Sequence, residues 1–145
     1  MLKSLGVKKG DRVCIYLPMI PELAVTMLAC ARIGAIHSVI FAGFSDAAIR
    51  SRVEDCGAKV IVTSDGGSRG EKTIKTKEVV DKAIEGLASV EKVLVVKRTN
   101  EPIAFNDKID VWFDDLYEAA EASNIAEIMD SEDPLFILYT SGSTG

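Results

Sequence analysis

With 145 residues, 48% of them hydrophobic and 27% charged, the chain has the make-up of one folded domain, able to bury about two-thirds of its unfolded surface. A formal net charge of −5 argues against nucleic acid or an anionic membrane as partner, so a polyanionic ligand needs local positive charge. No run reaches the ~18 apolar residues of a membrane span, the start lacks a signal-peptide pattern, and Cys14, Cys30 and Cys56, without Cys-x-x-Cys spacing and set in apolar segments, read as buried reduced thiols of a cytoplasmic protein.

In chain order, the turn pair Gly10-Asp11 leads into Val13-Cys14-Ile15-Tyr16-Leu17, which predicts a buried strand over 12–17. Pro21 suits the first turn of a helix, where its missing N–H costs nothing. That helix, 22–33, is apolar nearly all round (Leu23, Ala24, Val25, Met27, Leu28, Ala29, Cys30), which predicts extensive burial, and Gly34 stops it. A second strand is expected over 36–41. Ser45 is placed to cap a helix whose Ile49, Val53 and Cys56 fall at i, i+4 and i+7, with Gly57 closing its far end.

The pattern then repeats, with a strand over 59–63, a helix over 77–87 showing Val80, Ile84 and Leu87 on one face, and a strand over 93–96. An irregular stretch, 100–110, precedes Trp112 and Phe113, which read as packing residues. A short helix over 116–122, with Asp114, Asp115 and Glu118 forming its start and solvated face, and a last strand over 135–139 complete the chain. Strands that are continuously apolar and separated by helices predict an α/β fold, with a mostly parallel sheet flanked by helices. His37 has no acid or nucleophile near it in sequence and reads as a core or sheet-edge residue.

Three segments carry groups suited to a ligand. Thr140, Ser141, Gly142, Ser143, Thr144 and Gly145 follow the last apolar strand. Their glycines let the main chain approach an anion and their hydroxyls add donors, the composition of a phosphate loop. The second segment, Thr63-Ser64-Asp65-Gly66-Gly67-Ser68-Arg69-Gly70-Glu71-Lys72-Thr73, invites a nucleoside-triphosphate P-loop reading. Glu71 intrudes between Gly70 and Lys72, and the required Gly-x-x-x-x-Gly-Lys-Ser/Thr fails. What remains is a flexible cationic loop in which Arg69 can grip a phosphate through two parallel bonds and Lys72 offers a point charge; an ordinary solvated loop is the alternative. The third is Phe41-Ala42-Gly43-Phe44-Ser45. It is either a ligand's approach to a helix N-terminus or a tight turn that simply requires glycine.

Together these segments resemble the adenylate-forming (AMP-forming) synthetases, and in particular their acetyl-CoA synthetase branch. The resemblance rests on Gly6-Val7-Lys8-Lys9-Gly10-Asp11-Arg12-Val13, Tyr16-Leu17-Pro18-Met19-Ile20-Pro21-Glu22, Ala35-Ile36-His37-Ser38-Val39-Ile40-Phe41-Ala42-Gly43-Phe44-Ser45, Val96-Lys97-Arg98-Thr99, Asp133-Pro134-Leu135-Phe136-Ile137-Leu138-Tyr139 and the terminal loop. It implies that 1–145 is an incomplete piece of the large N-terminal AMP-binding domain, inactive alone, with the C-terminal domain beyond Gly145. It also implies two steps: a carboxylate attacks the α-phosphorus of ATP to give acyl-AMP and pyrophosphate, and the thiol of CoA then displaces AMP.

By the same resemblance, Thr140, Ser141, Gly142, Ser143, Thr144 and Gly145 handle the ATP phosphates. Arg69, Gly70, Glu71 and Lys72, with Phe41, Ala42 and Gly43, meet the adenosine 3′-phosphate end of CoA. The family usually shows Arg-x-Gly-Arg where this chain reads Arg69-Gly70-Glu71-Lys72. Arg69 carries over directly, Lys72 keeps the charge without the fork, and Glu71 adds a negative charge. No catalytic residue or metal ligand is implied within the chain; Mg2+ is implied with ligands elsewhere. The implied partners are acetate, ATP and CoA, with no nucleic acid and no membrane. Propionate or another short-chain acid in place of acetate, or a non-catalytic CoA- or nucleotide-binding module, stays open.

Overall fold

The computed structural model describes residues 1–70, 72–121 and 125–140. After a 3-10 turn at Leu2–Leu5, the elements are β1 (Arg12–Tyr16), α1 (Pro21–Ile33), β2 (Ile36–Val39), α2 (Asp46–Cys56) and β3 (Val60–Ser64). There follow β4 (Gly67–Arg69), β5 (Lys72–Ile74), α3 (Thr76–Ile84), β6 (Lys92–Val96), β7 (Asp110–Trp112) and α4 (Phe113–Glu118). The main sheet has the order β2-β1-β3-β6-β7, and every pair in it is parallel. β4 and β5 form a separate antiparallel hairpin.

Alternate residues of each strand feed two cores. Val13, Ile15, Val60, Val62, Leu94 and Val96 pack under α1 and α4, whereas Cys14, Tyr16, Ile61, Val93 and Val95 pack under α2 and α3. Both faces of the sheet are therefore dry, which is why its strands read as unbroken apolar runs. The helix signals act as expected: Ser45 accepts the Ala48 N–H at 3.3 Å, and Gly34 and Gly57 end α1 and α2 at φ +70° and +60°.

Lys77, only 1% exposed, gives the second core a buried ionic contact. Its Nζ lies 2.6 Å from Asp81 Oδ1 and 2.9 Å from Asp110 Oδ2. Lys77 thus ties the start of β7 to α3, and Asp110 also accepts the Asn106 N–H at 2.7 Å.

Several expectations are corrected. In α1 only Thr26, Cys30 and Ile33 are buried, while Val25 and Leu28 are 52% and 71% exposed. A helix on one face of a sheet buries the stripe that meets it, and uniform apolarity does not select a stripe. The segment 63–73 is not an irregular loop: β4 pairs with β5, Arg69 opposite Lys72, around a connection opened by Gly70 at φ +62°. The stretch 100–110 ends in a strand, and α4 starts at Phe113, ahead of the expected 116. The expected last strand reduces to one parallel bridge, Phe136 to His37, with the Ile137 N–H donating to the His37 carbonyl at 2.9 Å. Cys14 and Cys30 are buried but Cys56 is half-buried; all three are free.

Trp112 stacks on Phe105 at 4.7 Å, the packing role expected of it. His37 sits buried on β2, where desolvation lowers its imidazole pKa.

Candidate functional site

In an open parallel sheet the ligand crevice lies outside the carboxyl ends of the strands, where the chain order reverses. Here β1 has β2 on one side and β3 on the other, so the reversal falls between β1 and β3. A cavity of about 610 Å³ opens at that point. Leu17 and Pro18 after β1, Ile40 to Ala42 after β2, Gly67 and Ser68 of the hairpin, Arg98 after β6, and Tyr139 line it. Among its described lining residues Arg52 and Arg98 are the only charged ones, and none is acidic. A chain of net charge −5 thus presents an anion-favouring pocket at its sheet's reversal point.

The turn after β2 is fixed from behind. Gly43 and Phe44 donate N–H groups to the Phe41 carbonyl at 2.7 and 3.1 Å, and the Tyr16 hydroxyl donates to the Phe44 carbonyl at 3.1 Å. Phe41 and Phe44 meet edge to face at 5.8 Å and stay 58% and 40% exposed, the opposite of what core packing alone requires. The Arg52 guanidinium carbon lies 4.8 Å from the Phe44 ring centre and 5.3 Å from that of Tyr139.

Opposite this turn, Asp65 organises the ends of β3 and β6. Its Oδ1 accepts N–H groups from Gly66, Arg98 and Thr99 at 2.7, 2.8 and 3.0 Å; its Oδ2 accepts from Asn100 at 2.7 Å. Burial by itself would raise this carboxyl's pKa, but the backbone donors outweigh it and hold it below the ordinary carboxylate range. Gly66 admits the arrangement, because a Cβ there would come within 2.6 Å of Thr99 Oγ1.

Tyr139 stands immediately before Thr140. Its hydroxyl donates to Asp55 Oδ2 at 2.6 Å, and burial, followed by this bond, raises its pKa. Of the residues singled out from sequence, Phe41 and Ala42 line the cavity, while Gly43 belongs to the turn beside it. Gly70 sits at the hairpin tip with open space around it. Thr140 is exposed. Glu71, Ser141, Gly142, Ser143, Thr144 and Gly145 lie outside the described residues. Sequence reasoning missed Arg52, Asp65, Arg98 and Tyr139 as members of this site. The only local signal was Arg98 standing two residues beyond an apolar strand.

The fold and this crevice define an open, parallel α/β domain with an arginine-bearing cavity at its switch point. The AMP-binding enzyme family matches residues 1–145, and the chain belongs to it. It is 60% identical over 144 residues to an acetyl-coenzyme A synthetase of Halorhodospira halophila, covering 99% of this chain and 22% of that protein. To acetyl-coenzyme A synthetases of Methanothrix thermoacetophila and Campylobacter jejuni it is 58% and 59% identical, over 99% and 100% of its length. Among solved structures, the acetoacetyl-CoA synthetase from Streptomyces lividans superposes with a TM-score of 0.88 at 30% identity, over 99% of this chain and 22% of that one. The chain thus spans about 22% of the length of the relatives it matches.

Proposed function

We propose that residues 1–145 supply part of the N-terminal domain of an AMP-forming acetate–CoA ligase. The enzyme converts acetate and ATP to acetyl-AMP and pyrophosphate, then transfers the acetyl group to CoA with release of AMP. The observation that carries this reading is the 60% identity over 144 residues to a protein named acetyl-coenzyme A synthetase. The anion-favouring cavity at the switch point supports it independently.

Within the reading, the loop 140–145 wraps the ATP phosphates, and Tyr139 positions its first residue. The hairpin residues Arg69, Gly70, Glu71 and Lys72, with Phe41, Ala42 and Gly43, take the adenosine 3′-phosphate end of CoA. Arg98 and Arg52 add positive charge on the cavity wall. Mg2+ travels with ATP; among the described residues no group of three or more His, Cys, Asp or Glu is placed to hold a metal ion. The enzyme works in the cytoplasm on these small molecules, without nucleic acid; no helix among the described residues is long and apolar enough to cross a membrane.

Expression of the complete reading frame tests the proposal. Acetate-dependent exchange between ATP and labelled pyrophosphate without CoA, followed by CoA-dependent AMP release, is the expected result. A purified, folded product that catalyses neither with acetate overturns it.

A further inference from the structure

We propose that Arg52 is a positioning residue joining the Phe41–Phe44 turn to the segment that leads into the phosphate loop, so that the two substrate-facing segments move together. The inference rests on the reading above, in which that turn serves CoA and the loop serves ATP.

The geometry is a stack of three groups. The Arg52 guanidinium lies over Phe44 at 4.8 Å and over Tyr139 at 5.3 Å, measured to the ring centres. A guanidinium is flat and weakly hydrated, so it can face two rings where an ammonium offers only a point charge. Its Nη1 donates to the Ala48 carbonyl, one turn back on α2, at 2.7 Å, which fixes the head group against the helix. Three residues further along α2, Asp55 accepts the Tyr139 hydroxyl at 2.6 Å. One rigid helix therefore holds Tyr139 twice, by ring and by hydroxyl, and holds Phe44 through the same arginine.

The core does not need this arrangement. Ile49 and Val53, both fully buried, already seat α2 on the sheet, whereas Arg52 lies on the cavity wall. Phe44 is 40% exposed and Tyr139 only partly buried, so both rings can shift without opening the interior. A ligand that displaces Phe44 must then disturb the Tyr139 contact through Arg52, and the reverse. Two half-reactions sharing one crevice acquire a mechanical link.

The test uses the complete enzyme with Arg52→Met, which keeps the stem and loses the flat charged head, and with Arg52→Ala. Hydrogen exchange without substrates is read first. The amides of residues 41–45 and of 137–140 should both speed up in each variant, while those of 13–16 and 60–63 stay at wild-type rates. Acceleration of only one segment, or of the strands as well, overturns the proposal, since the first denies the link and the second shows general loosening.

In kinetics, the KM for ATP and the KM for CoA should each rise about two- to fivefold, the scale of a lost exposed cation–π contact, with kcat nearly unchanged. Unchanged KM values for both substrates, or a fall in kcat alone, also overturn it. If the unmodified enzyme does not activate acetate, the functional reading fails, whereas the exchange result still decides whether Arg52 joins the two segments.

Discussion

The carboxylate of Asp65 receives the backbone N–H of Arg98 at 2.8 Å, so a buried acid on one strand end fixes where a cavity-lining cation leaves the next. The Thr99 and Asn100 N–H groups close on the same carboxylate, and Asn100 takes φ +57° to reach it. Asparagine tolerates that left-handed conformation better than most residues. An ionised carboxylate thus fills a concavity of part-buried main-chain donors.

Asp65→Asn replaces one acceptor oxygen by a donor and leaves at least one of those N–H groups without a partner. The expected cost is about 1–3 kcal/mol at neutral pH. The sign of its pH dependence follows from the lowered carboxyl pKa: the stabilising contribution is complete above the unfolded value of about 3.9 and is lost as pH falls through the folded value. Urea unfolding of the wild type and of Asp65→Asn should show a gap that is wide at pH 7 and narrows below about pH 4. A gap independent of pH contradicts the assignment.

Arg69→Ala in the complete enzyme should weaken CoA far more than ATP or acetate. Removing one charge-assisted phosphate contact costs on the order of 1.5–3 kcal/mol, a loss of about 10- to 150-fold in affinity. Pyrophosphate exchange without CoA should be nearly unchanged. Comparison with dephospho-CoA locates the contact: a variant that weakens CoA and dephospho-CoA equally does not read the 3′-phosphate.

The buried contact between Lys77 and Asp110 predicts an asymmetric response to mutation. Asp110→Ala strands a lysine that is 1% exposed, leaving only Asp81 to compensate it, and should destabilise by about 3–5 kcal/mol. The double variant Lys77→Met with Asp110→Leu removes both charges while keeping apolar volume, and should recover much of that loss. Chemical denaturation of the single and double variants measures the difference. Equal destabilisation by both would show that shape, not the uncompensated charge, sets the cost.

The centre of the sheet was legible because β1, β3 and β6 are dry on both faces, and Val13 to Leu17, for example, carries that fact locally. The exposure of Val25 and Leu28 was not, since a helix apolar on every side gives no clue to which side meets the sheet. β7 escaped notice because it is three residues long and opens with Asp110, an acid whose burial makes sense only beside Lys77. The hairpin was hidden by its own polarity: Gly67-Ser68-Arg69 and Lys72-Thr73-Ile74 carry no apolar alternation, and only glycines hinted at a turn. In the site, the turn at Phe41 to Phe44 was visible as a glycine flanked by aromatics. Asp65 and Arg98 were not, since 33 residues separate them and no local pattern reports a contact made through space.

The cysteines allow a last prediction, because their surroundings differ sharply. Cys14 and Cys56 face each other with sulfurs 3.7 Å apart. Either thiol can donate across this contact, which chiefly raises the pKa of the fully buried Cys14 and lowers that of Cys56, where the Ala58 N–H and the nearby Arg12 charge assist against burial. Burial alone pushes Cys30 up to about 12. Since the thiolate is the reacting form and Cys56 is the one half-exposed thiol, iodoacetamide at pH 8 should label Cys56 first in the native protein. Cys14→Ala deletes this contact, so the alkylation profile of Cys56 should move to higher pH while its exposure changes little. Peptide mass spectrometry over a pH series decides both points: initial labelling at Cys30, or a Cys56 profile unaffected by Cys14→Ala, would show that the Cys14 bond does not control this thiolate.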